Sequence, residues 1–428
     1  MTGMYKERSI QGKIKKAVES FRVVVLSGAR QTGKTTLLRK LFPDRDFITF
    51  DPVEDVEHVR ADPDFFLDNH PSPAIFDEIQ YAPELVAALK RRVDRNGDAP
   101  GQYILTGSQQ WQVMRVLAES LAGRAVFIDL HGLSLAELAD APQAGWLADW
   151  LADPQGRLEQ FPGFRYMETP VNWIWRGTLP GVLTVANDLI PAFWDSYQRT
   201  YIERDARLMA ELSDWQQFSL FLRLAGSLSA QEVNISQLGR EIGVTPRTAR
   251  KWLDILAGTF QWFEVPAWKG NAVKRVSSKP KGYLSDTGLI CHGQRISSPL
   301  GLPGHPLFGA LFETAIINDI WRQADALSVR PGFWHWRAAG GAEVDLILER
   351  DGCLFPVEIK LTSNPRPRDC SGLAAFKVAH PLVSLAPGLL VCAVEKPRRI
   401  TPDVVALPWN WLSTLSAVSP EKAVASGV

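Results

Sequence analysis

A chain of 428 residues, 46% of them apolar, exceeds the size at which one hydrophobic core usually stops growing, so two or three domains are expected. Its 47 basic residues balance its 47 acidic ones, which excludes a bulk field for nucleic acid and leaves only local patches. Residues Met1 to Arg8 lack the apolar run of a signal peptide, no stretch approaches the roughly 18 apolar residues of a membrane span, and Cys291, Cys353, Cys370 and Cys392 form no CxxC pair, so the reading is a cytoplasmic protein without a membrane partner, disulfide framework or zinc knuckle.

The first element is a β-branched strand, Arg22 to Ser27, of the kind buried in a parallel sheet. It runs into Gly28-Ala29-Arg30-Gln31-Thr32-Gly33-Lys34-Thr35, which fits G-x-x-x-x-G-K-[ST], and Thr36 to Leu41 follow with helical spacing. Gly28 and Gly33 let backbone N–H groups wrap phosphates, with Ala29, Arg30, Gln31, Thr32 and Thr36 completing the ATP-binding loop. Lys34 is placed to meet the β- and γ-phosphates, and the Thr35 hydroxyl to ligate Mg²⁺.

A second apolar strand, Pro73 to Phe76, ends in Asp77-Glu78, the Walker B arrangement. Asp77 is expected to hold Mg²⁺ through water and Glu78 to polarise the attacking water. A third strand, Gln102 to Thr106, leads to Gly107-Ser108, and Ser108 is the favoured γ-phosphate sensor with Thr106 as the alternative. Arg124, in Leu121-Ala122-Gly123-Arg124, is a candidate arginine finger for a neighbouring subunit or a surface arginine.

Residues 141–169, rich in Trp, Gly, Pro and Asp, suggest an insertion or long loop. From Pro191 to Ala225 the pattern is helical, with Phe193, Trp194, Tyr197, Tyr201 and Ile202 on spacings of three and four, as in a lid over a nucleotide. Asn234 to Leu256 has helix-turn-helix spacing about Gly243, its second helix capped by Thr245 and started by Pro246. Arg247, Thr248, Arg250 and Lys251 line the exposed face of that helix, and Gln261 to Val265 alternate as a wing strand. Between Ala267 and Ser285 stand Lys269, Lys274, Arg275, Lys279 and Lys281 with no acid, beside Trp268 and Tyr283. Such a face suits DNA phosphates, although a winged helix used only for packing has the same outline.

Toward the C-terminus, strands Phe333 to Arg337, Glu343 to Leu348 and Leu354 to Lys360 are joined in part by a tight Asp351-Gly352 turn. Asp345, Glu358 and Lys360 then gather at one end of a hairpin, and Glu313 lies in the helical run Phe308 to Glu313. These residues resemble the PD-(D/E)XK nuclease core, which implies that Glu313, Asp345 and Glu358 hold a metal while Lys360 orients hydroxide or steadies phosphate. A degenerate version would instead pair the acids with Lys360 or Arg337.

The chain as a whole resembles the AAA+ ATPases, and more narrowly those of the AAA_14 and DUF4143 type. The pieces that carry the likeness are the phosphate loop, Phe76-Asp77-Glu78-Ile79-Gln80, Leu105-Thr106-Gly107-Ser108, Leu121-Ala122-Gly123-Arg124, Arg176 to Gly181, Tyr201 to Asp205, Asp286 to Leu289 and Glu343-Val344-Asp345. The resemblance implies an α/β fold with an AAA+ parallel sheet flanked by helices, ATP hydrolysis, and assembly into a homo-oligomer such as a hexamer. The resulting division is an ATPase core over 1–140, an insertion and helical lid over 141–225, a winged helix over 226–285 and a restriction-endonuclease-like domain over 286–428. Its functional reading is an ATPase that engages DNA, branched forms such as Holliday junctions included, and remodels or cleaves it. The alternative is a nucleotide-gated switch, as in defence or toxin-linked ATPases, with a catalytically dead C-terminal assembly domain.

Overall fold

A computed structural model describes residues 5–50, 56–108, 119–202, 215–270 and 278–415. The N-terminal sheet contains β1 (Val23–Ser27), β2 (Asp46–Thr49), β3 (Ala74–Asp77), β4 (Tyr103–Gly107) and β5 (Ala125–Asp129), all parallel and in the order β2-β3-β4-β1-β5. Every residue of β1, β3 and β4 is buried, which is why these strands read as unbroken apolar runs rather than alternating ones. Period-2 side-chain alternation splits β1 between two core layers: Val23 and Val25 pack with Phe76, Leu89 and Leu105, whereas Val24 and Leu26 pack with Ile14, Leu37 and Ile104. Because the strands are parallel, the phosphate loop, Asp77-Glu78 and Ser108 all emerge at one edge of the sheet.

Beyond residue 132 a large apolar cluster runs from Leu133 to Trp411 and joins the lid, the winged helix and one face of the C-terminal sheet. Residues 141–169 belong to that body. Helices Leu147–Ala152 and Pro154–Glu159 are followed by β6 (Gly163–Arg165), which pairs antiparallel with the last strand, Trp411–Ser413. Trp146 and Trp150, one helical turn apart, are both buried, so the tryptophans taken for a loop signature are core anchors.

The lid has helices Pro170–Arg176, Ile190–Tyr197 and Trp215–Ser227, with one π-helical turn at Gln198–Ile202. In the winged helix, Ile235–Glu241 and Pro246–Gly258 flank Gly243 at φ 73°, and the Thr245 hydroxyl accepts the Thr248 amide at 3.1 Å as an N-cap. Its sheet orders β7 (Gln231–Glu232), β9 (Lys281–Leu284) and β8 (Trp262–Val265).

The C-terminal domain packs a 19-residue helix, Phe308–Ala326, and helix Ser371–Ala379 against opposite faces of a mixed sheet. Its strands β10 (Gly332–Arg337), β11 (Glu343–Arg350) and β12 (Cys353–Lys360) form an antiparallel meander. Asp351 and Gly352 both have positive φ, 51° and 77°, as the two-residue hairpin requires. β12 then pairs parallel with Gly388–Cys392, which pairs parallel with Val404–Pro408. The winged helix meets this sheet where the Trp268 amide donates to His335 O at 2.6 Å and the His335 amide donates to Pro266 O at 2.9 Å. No helix among the described residues is long and apolar enough to cross a membrane.

Candidate active site

The phosphate loop is held by close backbone approach. Gly28 has φ 150°, and a Cβ there would lie 2.1 Å from Leu130 O, so no other residue fits. Gly33 (φ 91°) caps helix Lys34–Leu41, whose free N–H groups face the loop. The Lys34 ammonium donates to Gly28 O at 2.8 Å and Ala29 O at 3.0 Å, and the Thr32 hydroxyl to Ala29 O at 2.9 Å. Arg30 donates to the Tyr81 hydroxyl at 2.8 Å, while Gln31 and Thr36 are exposed.

Asp77 stands at the end of β3, 2% exposed, and accepts the Thr35 hydroxyl at 2.7 Å and the Thr106 hydroxyl on its other oxygen. Burial pushes its carboxyl above the usual range, against the pull of those two hydroxyls. Glu78 turns out of the strand in the left-handed region at φ 60°, its amide held by Thr106 Oγ1 at 3.1 Å. Its carboxylate meets Gln80 Nε2 and the Ser108 hydroxyl, the latter at 3.4 Å. The structure thus brings Lys34, Thr35, Asp77, Glu78, Thr106 and Ser108 to one place. The residues fit a nucleotide and Mg²⁺: a hydroxyl and a carboxylate already in contact, a lysine in the loop, and a helix N-terminus behind it.

Two further contacts come from far along the chain. Arg8, 5% exposed, donates to Thr32 O at 2.8 Å, His131 O at 2.6 Å and Gly132 O at 3.2 Å, and pairs with Glu137 at 3.2 Å. From the lid, the Tyr197 hydroxyl donates to Arg30 O at 3.4 Å. A cavity of about 250 Å³ adjoins the loop, lined by Ala29, Thr32, Trp194, Tyr197, Trp321 and Arg322. Arg124 lies elsewhere: it precedes β5, at the sheet edge opposite the loop, and holds Asp94 at 3.0 Å.

In the C-terminal domain Glu313, Asp345, Glu358 and Lys360 are gathered as their sequence positions suggest, but a fifth residue joins them. Lys281 of β9, 3% exposed, places its ammonium 3.1 Å from Glu313 Oε1 and 3.1 Å from Asp345 Oδ1. Tyr283 OH donates to the same Glu313 oxygen at 2.9 Å, and the Ile359 amide to Asp345 Oδ2 at 3.0 Å. Lys360 binds Glu358 Oε1 at 2.6 Å and lies 3.7 Å from Asp345. Burial pushes the Glu358 carboxyl up to about 8 and the Glu313 carboxyl up to about 7, with Asp345 the second cause for each, while the two lysines hold Asp345 low against its burial. The expected metal set therefore does not fit this structure: an ammonium sits between two of its three carboxylates, and among the described residues no three His, Cys, Asp or Glu side chains converge as metal ligands.

Three family models match the chain: an AAA domain over residues 20–139, a domain of unknown function (DUF8612) over 167–300, and a domain of unknown function (DUF4143) over 308–412. The chain carries an AAA domain of the P-loop type followed by a DUF4143 domain. Uncharacterized proteins of Mycobacterium bovis and Mycobacterium tuberculosis are each 29% identical to it over 418 residues, covering 97% of this chain and 86% of theirs. Among solved structures, a Walker-type ATPase of Pyrococcus abyssi aligns over 68% of this chain and 96% of its own at 15% identity, with a TM-score of 0.39. The RuvB Holliday junction branch migration motor of Thermotoga maritima aligns over 63% and 93% at 16% identity, with a TM-score of 0.29.

Two segments that lie over a hundred residues apart in this chain prove to be partners. Asp286 accepts the Thr178 amide at 2.9 Å and hydroxyl at 2.7 Å, and with its other oxygen caps Gly288 at 2.8 Å. On the helix-turn-helix, Arg247 and Lys251 are exposed, whereas Arg250 is committed to Asp254 at 2.7 Å and Glu264 at 3.1 Å. The basic run divides: Lys279 is exposed, Lys269 half-buried and Lys281 buried, and Lys274 and Arg275 lie outside the described residues, as do Glu203, Arg204 and Asp205. Trp268 and Tyr283 are core residues and offer no face to a base, a correction to their reading as part of a DNA surface. Sequence reasoning missed Arg8 because a lone arginine near a terminus has no local pattern. Lys281 was visible only as one basic residue among five, although its i, i+2 spacing with Tyr283 puts both on one strand face.

Proposed function

We propose that the protein hydrolyses ATP with Mg²⁺ and uses the cycle to alter its hold on DNA through the winged helix. The observation that carries the first part is the unbroken chain Thr35, Asp77, Thr106, Glu78, Ser108 at the sheet edge beside the phosphate loop. Lys34 and the loop amides would bind the β- and γ-phosphates, and Thr35 with Asp77 would hold the metal. Magnesium bound there would neutralise charge on the phosphates. Glu78, steadied by Gln80 and Ser108, would accept a proton from the attacking water. A sensing role for Ser108 rests on that bond to Glu78.

Arg124 faces away from its own loop, so its proposed part in catalysis requires a neighbouring subunit in a homo-oligomer and release of Asp94. DNA engagement is supported by the capped second helix with Arg247 and Lys251 exposed on its face. Cleavage is left out of the proposal, because the ammonium of Lys281 stands where the carboxylates would need a metal. The geometry favours instead a C-terminal domain that binds or assembles.

The deciding experiment is ATP turnover with duplex, single-stranded, forked and four-way-junction DNA, with and without Mg²⁺. Turnover that needs Mg²⁺ and rises with DNA supports the proposal, and the ranking of DNA forms identifies the substrate. Slow turnover indifferent to every DNA form would establish the nucleotide-gated switch in its place.

A further inference from the structure

We infer that Lys281 is the resident cation of the C-terminal acidic cluster, supplied by the winged helix in place of a divalent metal, so that the domain is a non-cleaving one locked to the winged helix. The cluster holds three carboxylates, Glu313, Asp345 and Glu358, and two ammoniums, Lys281 and Lys360, all buried except Lys360 and Glu313, which are partly so. Lys281 uses two of its three N–H donors on Glu313 and Asp345, both at 3.1 Å. A magnesium or manganese ion needs carboxylate oxygens converging at about 2.0 to 2.1 Å on one point, and a fixed positive charge between two of them repels it and fills the space.

Three more contacts hold these carboxylates in place. Glu313 Oε1 also takes the Tyr283 hydroxyl at 2.9 Å, Asp345 Oδ2 takes the Ile359 amide at 3.0 Å, and Glu358 Oε1 takes Lys360 at 2.6 Å. Glu358 Oε2 is buried with no partner. Lys281 and Tyr283 come from β9, whereas Glu313, Asp345 and Glu358 come from the long helix, β11 and β12. The bonds therefore cross from one domain to the other. A lysine in such a place acts as an ionic joint, and losing it would leave two facing carboxylates that repel unless a metal enters.

The test is Mn²⁺ titration by calorimetry on the nucleotide-free full chain. Wild-type protein and Asp345→Asn are expected to give the same heats, with no site at the cluster, and wild-type protein is expected not to nick DNA with Mn²⁺. Lys281→Met, which keeps most of the stem and removes the charge, is expected to gain one Mn²⁺ site per chain that is at least tenfold tighter than any in wild type. Adding Asp345→Asn should abolish that site. Asp345-dependent Mn²⁺ binding or DNA nicking by wild-type protein overturns the inference, as does a folded Lys281→Met that binds no Mn²⁺. Should Lys281→Met fail to fold, the wild-type and Asp345→Asn arms still decide it, since either they differ or they do not. The outcome is independent of the ATP site, where Asp345→Asn should leave turnover unchanged.

Discussion

Glu78 is held in a left-handed conformation by a bond from its own amide to Thr106, and that geometry aims its carboxylate at Ser108 rather than back along the strand. A carboxylate fixed in this way beside the loop is suited to taking a proton, and removing such a base typically costs about 10² to 10⁴ in rate. Glu78→Gln is expected to bind fluorescent nucleotide as wild type does while phosphate release falls by at least about a hundredfold. Wild-type turnover would reject Glu78 as the base. Arg8 sets a different kind of dependence, because its guanidinium fans out to three carbonyls and to Glu137 in a nearly dry site. Removing one partner of a buried pair generally costs about 3–5 kcal/mol, so Arg8→Ala should lower the denaturant midpoint markedly. Arg8→Lys should recover only part of that loss, since a point charge cannot serve several acceptors in a plane. A full recovery would show that charge alone matters there.

At the scale of elements, the parts legible in the sequence were those whose signal is local. The phosphate loop, Asp77-Glu78, the Thr245 cap and the Asp351-Gly352 hairpin each follow from a spacing of a few residues, and all are found where those spacings put them. What was not legible depends on pairing at long range. The strand at Gly163–Arg165 exists only because Trp411–Ser413 lies beside it, and Lys281 is a buried joint rather than a DNA contact only because two acids from other elements, Glu313 and Asp345, meet its ammonium. The second helix of the helix-turn-helix shows the same limit, since Arg250 was grouped with Arg247 and Lys251 but is held by Asp254 and Glu264. That distinction yields a graded expectation for DNA binding. Arg247→Ala with Lys251→Ala should flatten the log-log salt slope by about 1.8, at about 0.9 per lost phosphate contact, whereas Arg250→Ala should leave the slope unchanged. Fluorescence anisotropy across a salt series measures both. An unaltered slope in the double variant would mean that this helix packs on protein.

For the molecule as a whole, the winged helix and the C-terminal sheet are fastened by backbone bonds at His335, whose ring is also buried in the seam. Its Nε2–H donates to Lys279 O at 3.0 Å, and Nδ1 is buried with no partner, so a second proton would add a charge with no acceptor to meet it. Burial, with Lys281 and Lys269 nearby, pushes the imidazole down to about 4 from the ordinary 6.5, against the bond to the Lys279 carbonyl and the charge of Glu232. The sign follows from proton counting. Between pH 6.5 and 4 the unfolded chain binds this proton and the folded chain does not, so the stability His335 contributes is complete above pH 6.5 and is lost as pH falls through that window. A shift of this size corresponds to a ceiling of about 3 kcal/mol. His335→Gln keeps an N–H for the Lys279 carbonyl but cannot titrate. Unfolding midpoints of the two proteins, compared at intervals from pH 7 to pH 4, should therefore diverge, with wild type losing more stability as the pH drops. Carboxylates elsewhere titrate in the same range in both proteins and cancel in the comparison. Parallel profiles would show that His335 accepts its proton in the folded chain, and that the seam between the two domains opens to water.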